Sequence, residues 1–302
     1  MNTSNLIHIC ITSEAEVMHR EEDDYRCGIS KMALAALRTG TIIYAFAFMS
    51  THIHIVAETR NVSRFVSNFK NAYTRWFNHK YCRTGSLGEK RCHIEYLDNL
   101  NRALRAINYV LRNPVHHLVC DTALGYEFCS ARYVFQDTIC RGDSAVPRRT
   151  SRYYPSRHPL PKNMYLNEQG MISPECFLDI AAVERIYISP KKFLFHINRP
   201  SFRDLAEEDG EKFLTIGDIE PGINLEEIRK NEMERSVKGN TTDIDVCRMI
   251  DKEMLTDRTY AQLSLPERKD IARQLARRPE VFSQKQIFRC LGLAMPTPER
   301  GK

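Results

Sequence analysis

Hydrophobic positions in the first half of the chain switch between a period of two and a period near 3.6. Leu6-Ile7-His8-Ile9-Cys10-Ile11 reads as a strand over 6–11, and a helical pattern follows over 22–37. The apolar run Thr41-Ile42-Ile43-Tyr44-Ala45-Phe46-Ala47-Phe48 and the stretch from Met49 to Glu58 that comes next predict a hairpin over 41–58. A second helix is expected over 62–78, where Phe69, Tyr73, Trp76 and Phe77 fall at core spacing. A short strand at 92–97 leads into a helix over 101–114, with Leu100, Leu104, Ile107 and Leu111 as its apolar stripe. This order predicts an α+β fold of ferredoxin-like type: an antiparallel sheet with packed helices, followed by a mainly helical C-terminal extension.

The domain reading places one unit at 1–140, a basic segment at 141–165 and the extension at 166–302. The basic segment is rich in proline and arginine, and Arg148, Arg149 and Arg152 are interleaved with Tyr153 and Tyr154. Two readings stand for it: a solvated linker, or an arm whose arginines contact phosphates while its tyrosines stack on bases of a single strand. Beyond residue 165, Ser173-Pro174 and Ser189-Pro190 mark helix starts, and amphipathic stretches cover 225–237 and 244–255. Ser264-x-x-Glu267 and Ser283-x-x-Gln286 are capping boxes that open short helices, and Gly292 closes the second. The pair at 264–292 has the outline of a partial helix-turn-helix, but Met295-Pro296-Thr297-Pro298 cannot supply a recognition helix, so a packing bundle stands beside it.

Composition narrows the field. At 302 residues the chain can bury at least one full core, and a net charge of +6 permits a polyanionic partner. Ten cysteines without a Cys-x-x-Cys pair read as reduced packing thiols rather than a zinc ribbon or a disulfide framework. The amino terminus lacks a signal-peptide pattern and no apolar run reaches membrane-spanning length, so a cytoplasmic protein with no membrane partner is expected.

His52-Ile53-His54 carries the clearest chemical signal. Strand side chains alternate faces, so both imidazoles point one way while Ile53 and Ile55 enter the opposite layer. Such a pair suits a divalent cation, and equally two half-buried histidines. On the third helix Tyr109 lies off the apolar stripe and shares its face with Arg105 one turn before and with Arg112 and Asn113 one turn after. Arginines there could activate a phenol and dock a phosphate, or simply form a solvated basic face. Tyr73, beside Lys70 and Arg75, competes as a nucleophile, but its spacing with Phe69 and Phe77 assigns it to packing.

Taken in order, Glu22-Asp23-Asp24-Tyr25, Arg38-Thr39-Gly40, Met49-x-x-His52-Ile53-His54, Phe69 to Asn78, Gly85-Ser86-Leu87-Gly88, Tyr109-x-x-x-Asn113-Pro114-Val115 and Tyr126-Glu127-Phe128-Cys129-Ser130 resemble the single-tyrosine HUH transposases, nearest to the REP-associated branch, over roughly residues 5–135. That resemblance implies a metal-dependent single-strand DNA endonuclease and strand transferase acting on hairpin-containing DNA in transposition. It implies Mg²⁺ or Mn²⁺ held by His52, His54 and Asn113, and Tyr109 as the nucleophile that forms a 5′-phosphotyrosine. Arg105, Arg112, Arg148, Arg149, Arg152, Tyr153 and Tyr154 would contact DNA. Relatives act as monomers or as homodimers that exchange the tyrosine helix. Where relatives read Met-Pro-Asn-His, this chain has Met49-Ser50-Thr51-His52, which changes the turn and keeps the ligands. The alternative from another class is a domesticated DNA-hairpin-binding regulator without effective cleavage. An RNA-binding sheet of RRM type is disfavoured because its Arg/Lys-Gly-aromatic signature is missing.

Overall fold

The computed structural model describes residues 5–13, 15–117, 119–136, 160, 164–198, 241–255, 257–278 and 282–294. The sheet is built from β1 (Asn5–Thr12), β2 (Ile42–Phe48), β3 (His52–Thr59) and β4 (His93–Tyr96), in the order β2-β3-β1-β4, with every neighbouring pair antiparallel. With α1 (Glu22–Thr39) and α2 (Val62–Lys80) in the connections, this is the ferredoxin-like arrangement expected from the hydrophobic pattern.

Each helix begins and ends where local chemistry dictates. The Asp24 carboxylate accepts from the backbone N–H of Arg20 at 2.7 Å and of Glu21 at 3.1 Å, tying down the start of α1. At its other end Gly40 takes the left-handed conformation, φ +62°, that lets the chain turn into β2. Asn61 caps α2 by accepting from the Arg64 N–H, and Asn99 caps α3 (Leu100–His116) by accepting from that of Arg102.

One sheet face is apolar. Ile7, Ile9, Ile11, Ile53, Ile55, Phe46 and Phe48 are fully buried with residues of α1 and α2 such as Ile29, Met32, Phe65 and Phe69. Gly28 permits the close approach of α1: a Cβ there would stand 2.8 Å from Cε1 of Phe48. A bulge between Ile43 and Ala45 shifts the phase of β2, so that Phe46 and Phe48 enter this core while Ala45 and Ala47 oppose Val56 and His54 on the other face.

That other face carries α3. The stripe expected on this helix is displaced: Leu100 is 70% exposed and Leu104 half-buried, whereas Ala103, Ala106, Ile107, Val110, Leu111 and Pro114 are buried. The physical reason is the small-residue surface of β2, which admits small helix residues and rotates the bulkier leading leucines outward. The helix also continues through Pro114 to His116. Proline cannot donate to the Val110 carbonyl one turn earlier, and the Cys129 thiol lies 3.9 Å from that oxygen and 3.5 Å from the Leu111 oxygen, softening the loss.

The open edge of β2 is closed by later residues. Phe48 donates to the Phe128 carbonyl at 3.0 Å, Ser130 Oγ accepts from the Phe46 N–H at 2.9 Å, and Asp179 donates to the Ile43 carbonyl at 2.9 Å. The helices α4 (Ile180–Tyr187) and α5 (Pro190–Ile197) then brace α3, with the Tyr187 hydroxyl donating to the buried Asn108. Further along the chain come α6 (Asp243–Met249), which runs on as a π turn over Ile250–Met254, α7 (Leu265–Ala276) and α8 (Gln284–Cys290). Their apolar residues Val246, Ile271, Leu275, Ile287 and Leu291 join the same core as the sheet. The capping box forms as expected at Ser264. At Ser283 only half of it does, since Ser283 Oγ accepts from the Gln286 N–H while the Gln286 amide donates instead to the Thr241 carbonyl at 3.0 Å. Gly292 terminates α8 with φ +61°. The nine described cysteines are free thiols. No helix among the described residues is long and apolar enough to cross a membrane.

Candidate functional site

Because Cα partners across an antiparallel ladder share a face, the pairings Cys10↔His54, Thr12↔His52, Cys10↔His93 and His8↔Glu95 gather a polar set on the α3 side of the sheet. The helix supplies the rest. His52 Nε2 stands 3.0 Å from Asn113 Oδ1, and the Tyr109 hydroxyl stands 3.5 Å from His54 Nε2. The His52 and His54 rings lie 5.1 Å apart, and the Tyr109 ring meets that of His54 edge-on at 5.0 Å. The strand brings the two histidines together, and the helix brings the tyrosine and the asparagine to them, all within one chain.

Tyr109 is therefore not on a solvated basic face. It is half-buried against His54 and His8, while Arg112 is 9% exposed, Asn113 is fully buried and Arg105 is half-buried. Tyr73, the competitor, is buried and donates its hydroxyl to the Met18 carbonyl at 2.6 Å, which is a packing role. Glu58, on the histidine face by parity, accepts instead from the Tyr44 hydroxyl at 2.9 Å. Arg148, Arg149, Arg152, Tyr153 and Tyr154 lie outside the described residues, as does 225–237.

Several residues join the site that the chain order does not reveal. His8 Nε2 is 3.1 Å from His54 Nδ1, and Cys10 Sγ is 4.0 Å from His54 Nε2. The His117 ring packs 4.7 Å from that of His52, and the His116 ring lies 6.3 Å from that of Tyr109. The alternation of His8 and Cys10 with Ile7, Ile9 and Ile11 was the available signal for the first two: a strand with one apolar and one polar face. From the far side, Ser50 donates to the Asp243 carboxylate at 2.6 Å, and Arg289 pairs with the same carboxylate at 2.6 Å. The α6–α8 bundle thus grips the turn that precedes His52.

The electrostatics keep the imidazoles neutral. Burial lowers the pKa of His52 to about 4 against the opposing hydrogen bond to Asn113 Oδ1, and burial likewise lowers that of His116 to about 4. Burial, reinforced by the neighbouring histidines, holds His54 and His117 well below the usual range. Neutral imidazole is the form that ligates metals. Asn113 adds an amide oxygen aimed at His52, and its Nδ2 is buried without a hydrogen-bond partner. Among the described residues no group of three or more His, Cys, Asp or Glu side chains is arranged to hold a metal ion; beside the two histidines the further oxygen donor is the Asn113 amide. Two neutral imidazoles and an amide oxygen are donors that a divalent transition metal accepts with water completing the shell; Mg²⁺ and Mn²⁺ favour oxygen, so for them the amide and water would carry more of the coordination.

No family model matches this sequence, and no curated protein matches it. Among solved structures, the chain is similar to a REP-associated tyrosine transposase bound to a REP hairpin, at 15% identity and a TM-score of 0.36, over 46% of this chain and 81% of that one.

Proposed function

We propose that this protein is a metal-dependent single-strand DNA endonuclease and strand transferase that acts on hairpin-containing DNA through a tyrosine nucleophile. The observation that carries the proposal is the meeting of the Tyr109 hydroxyl with His54 Nε2 at 3.5 Å, on a face where His52 and Asn113 also converge. A hydroxyl nucleophile beside two neutral imidazoles and an amide oxygen is what in-line attack on a phosphodiester requires. His52, His54 and Asn113 would hold Mg²⁺ or Mn²⁺, which polarises a phosphate oxygen.

The chain's own residues account for the remaining steps. Tyr109 Oη forms the bond to phosphorus while the bond to the 3′-oxygen breaks, and the departing oxygen ends with the proton that the phenol gives up. Nothing else is consumed, so the 3′-hydroxyl can return along the same path and rejoin strands. The helix α3 holds the nucleophile rigid because Asn108, next to Tyr109, is pinned by Tyr187. Arg105, one turn before the nucleophile, would steer the flanking phosphate. Since Tyr109 faces the histidines of its own chain, attack in cis is the direct reading.

Incubating the full-length protein and Mn²⁺ with labelled foldback oligonucleotides from the DNA flanking its gene tests this. A covalent adduct mapped to Tyr109, lost in Tyr109→Phe with hairpin binding retained, is the expected result. Tight hairpin binding with no adduct on any tyrosine would instead establish a DNA-binding regulator.

A further inference from the structure

Three strands deliver a row of side chains across the sheet: Glu95 from β4, His8 from β1 and His54 from β3. Glu95 is the direct partner of His8 in the β1–β4 ladder, and its Oε2 stands 3.8 Å from His8 Nδ1. The other ring nitrogen of His8 lies 3.1 Å from His54 Nδ1, and the two rings stack at 5.2 Å with 25° between their planes. The remaining nitrogen of His54, Nε2, is the one that faces Tyr109.

We propose that Glu95 and His8 form a positioning relay that fixes the tautomer of His54. The Glu95 carboxylate favours the proton on His8 Nδ1, which leaves His8 Nε2 as an acceptor. His54 then donates from Nδ1–H, and its Nε2 keeps a lone pair directed into the site. Which nitrogen of an imidazole carries the proton is set by the hydrogen bond that the other nitrogen makes. A ligating imidazole generally donates its other ring N–H to an acceptor behind it, and loss of that partner weakens metal binding about 10–100-fold; here His8 would be the acceptor.

Two further facts support the direction of the relay. The His8 contact holds the Glu95 carboxyl below the usual carboxylate range, so the outer end of the row is anionic. The row is also sheltered: the side chains of His8 and Glu95 are 10% and 29% exposed. In such surroundings water competes weakly for the ring nitrogens.

This inference rests on the reading of His54 as a metal ligand, and the test separates the two. In full-length protein labelled with ¹⁵N-histidine, without metal, His54 should show a protonated Nδ1 and an unprotonated Nε2, and Mn²⁺ affinity should be measured in parallel by electron paramagnetic resonance. His8→Phe should mix the tautomers and raise the Mn²⁺ Kd about 10–100-fold. His8→Gln, whose amide oxygen can accept from His54 Nδ1–H, should recover most of that loss. Glu95→Gln keeps the shape at the sheet edge and should weaken Mn²⁺ severalfold, so the idea stays testable even if His8→Phe fails to fold. A proton on His54 Nε2 in the wild type, or a Mn²⁺ Kd within twofold of wild type in both Glu95→Gln and folded His8→Phe, overturns the relay. Wild-type Mn²⁺ binding in His54→Ala overturns the metal-ligand reading itself.

Discussion

His19 shows how a single side chain conditions the site without belonging to it. It is fully buried, its Nδ1 lies 2.7 Å from the Met49 carbonyl, and its ring is stacked against Tyr25 at 4.5 Å and Tyr73 at 5.3 Å. Burial lowers its pKa to about 3 against the opposing hydrogen bond to Met49, so it stays neutral and donates Nδ1–H to the turn that leads into His52. The unfolded chain takes up this proton near pH 6.5, the folded chain only near 3. Stability supplied by His19 is therefore complete above about pH 6.5 and lost progressively as pH falls toward 3. His19→Gln keeps a donor for Met49 and cannot titrate, so its melting temperature should decline less steeply than wild type between pH 6.5 and 4.5. Parallel acid limbs in the two proteins would remove His19 from the account. At this scale period and spacing placed His52 and His54 on one strand face and Tyr109 and Asn113 on one helix face, while the pairing of those two faces came from the family resemblance. Glu95 and His117 were not legible, since each reaches the site through a register or a helix end that only pairing reveals, and for His8 the alternation showed its face but not its partner.

At the scale of elements, the strands and the first three helices were legible because each has a clean period and a polar or glycine boundary. The rotation of α3 was not. Leu100 and Leu104 complete an apolar stripe in sequence, yet the contact surface is set by the partner strand, where Ala45 and Ala47 are fully buried. The bulge beside Tyr44 that turns these alanines toward the helix leaves no mark in a one-dimensional pattern. Ala47, directly opposite His54, lies on the α3 side of the sheet as a spacer. Ala47→Val adds methyl groups where α3 already touches, at a cost of about 1–3 kcal/mol. A helix lifted by about 1 Å should lower the rate of adduct formation about 100-fold, while hairpin binding changes little. Wild-type cleavage by a folded Ala47→Val protein would show that the spacing of sheet and helix is not what sets the nucleophile.

The extension reads in sequence as a set of capped helices with no stated purpose, because its contacts with the rest of the molecule, apolar and polar alike, are long-range. Arg20, fully buried, donates to the Cys290 carbonyl at 2.6 Å, pairs with Asp251 at 2.8 Å and lies 3.9 Å above the Tyr260 ring. Asp243, 3% exposed at its side chain, binds Ser50 on one oxygen and Arg289 on the other. Ser50, in the turn before His52, supplies a hydroxyl that ties the start of β3 to α6. Removing it in Ser50→Ala should cost about 1.5–3 kcal/mol, the range for a hydrogen bond to a charged group. Asp243→Asn should cost more, about 3–5 kcal/mol, because it strands the Arg289 guanidinium. The double variant should show a coupling energy above about 0.5 kcal/mol between the two sites. Arg248→Ala is the control: its pair with Glu22 lies at 2.7 Å, but both side chains are about 40% exposed, and such surface pairs contribute only about 0–1 kcal/mol. If the bundle anchors the turn, Ser50→Ala should also weaken Mn²⁺ binding, whereas Arg248→Ala should not. Additive stabilities together with unchanged Mn²⁺ affinity in Ser50→Ala would mean that the extension packs beside the site without holding it.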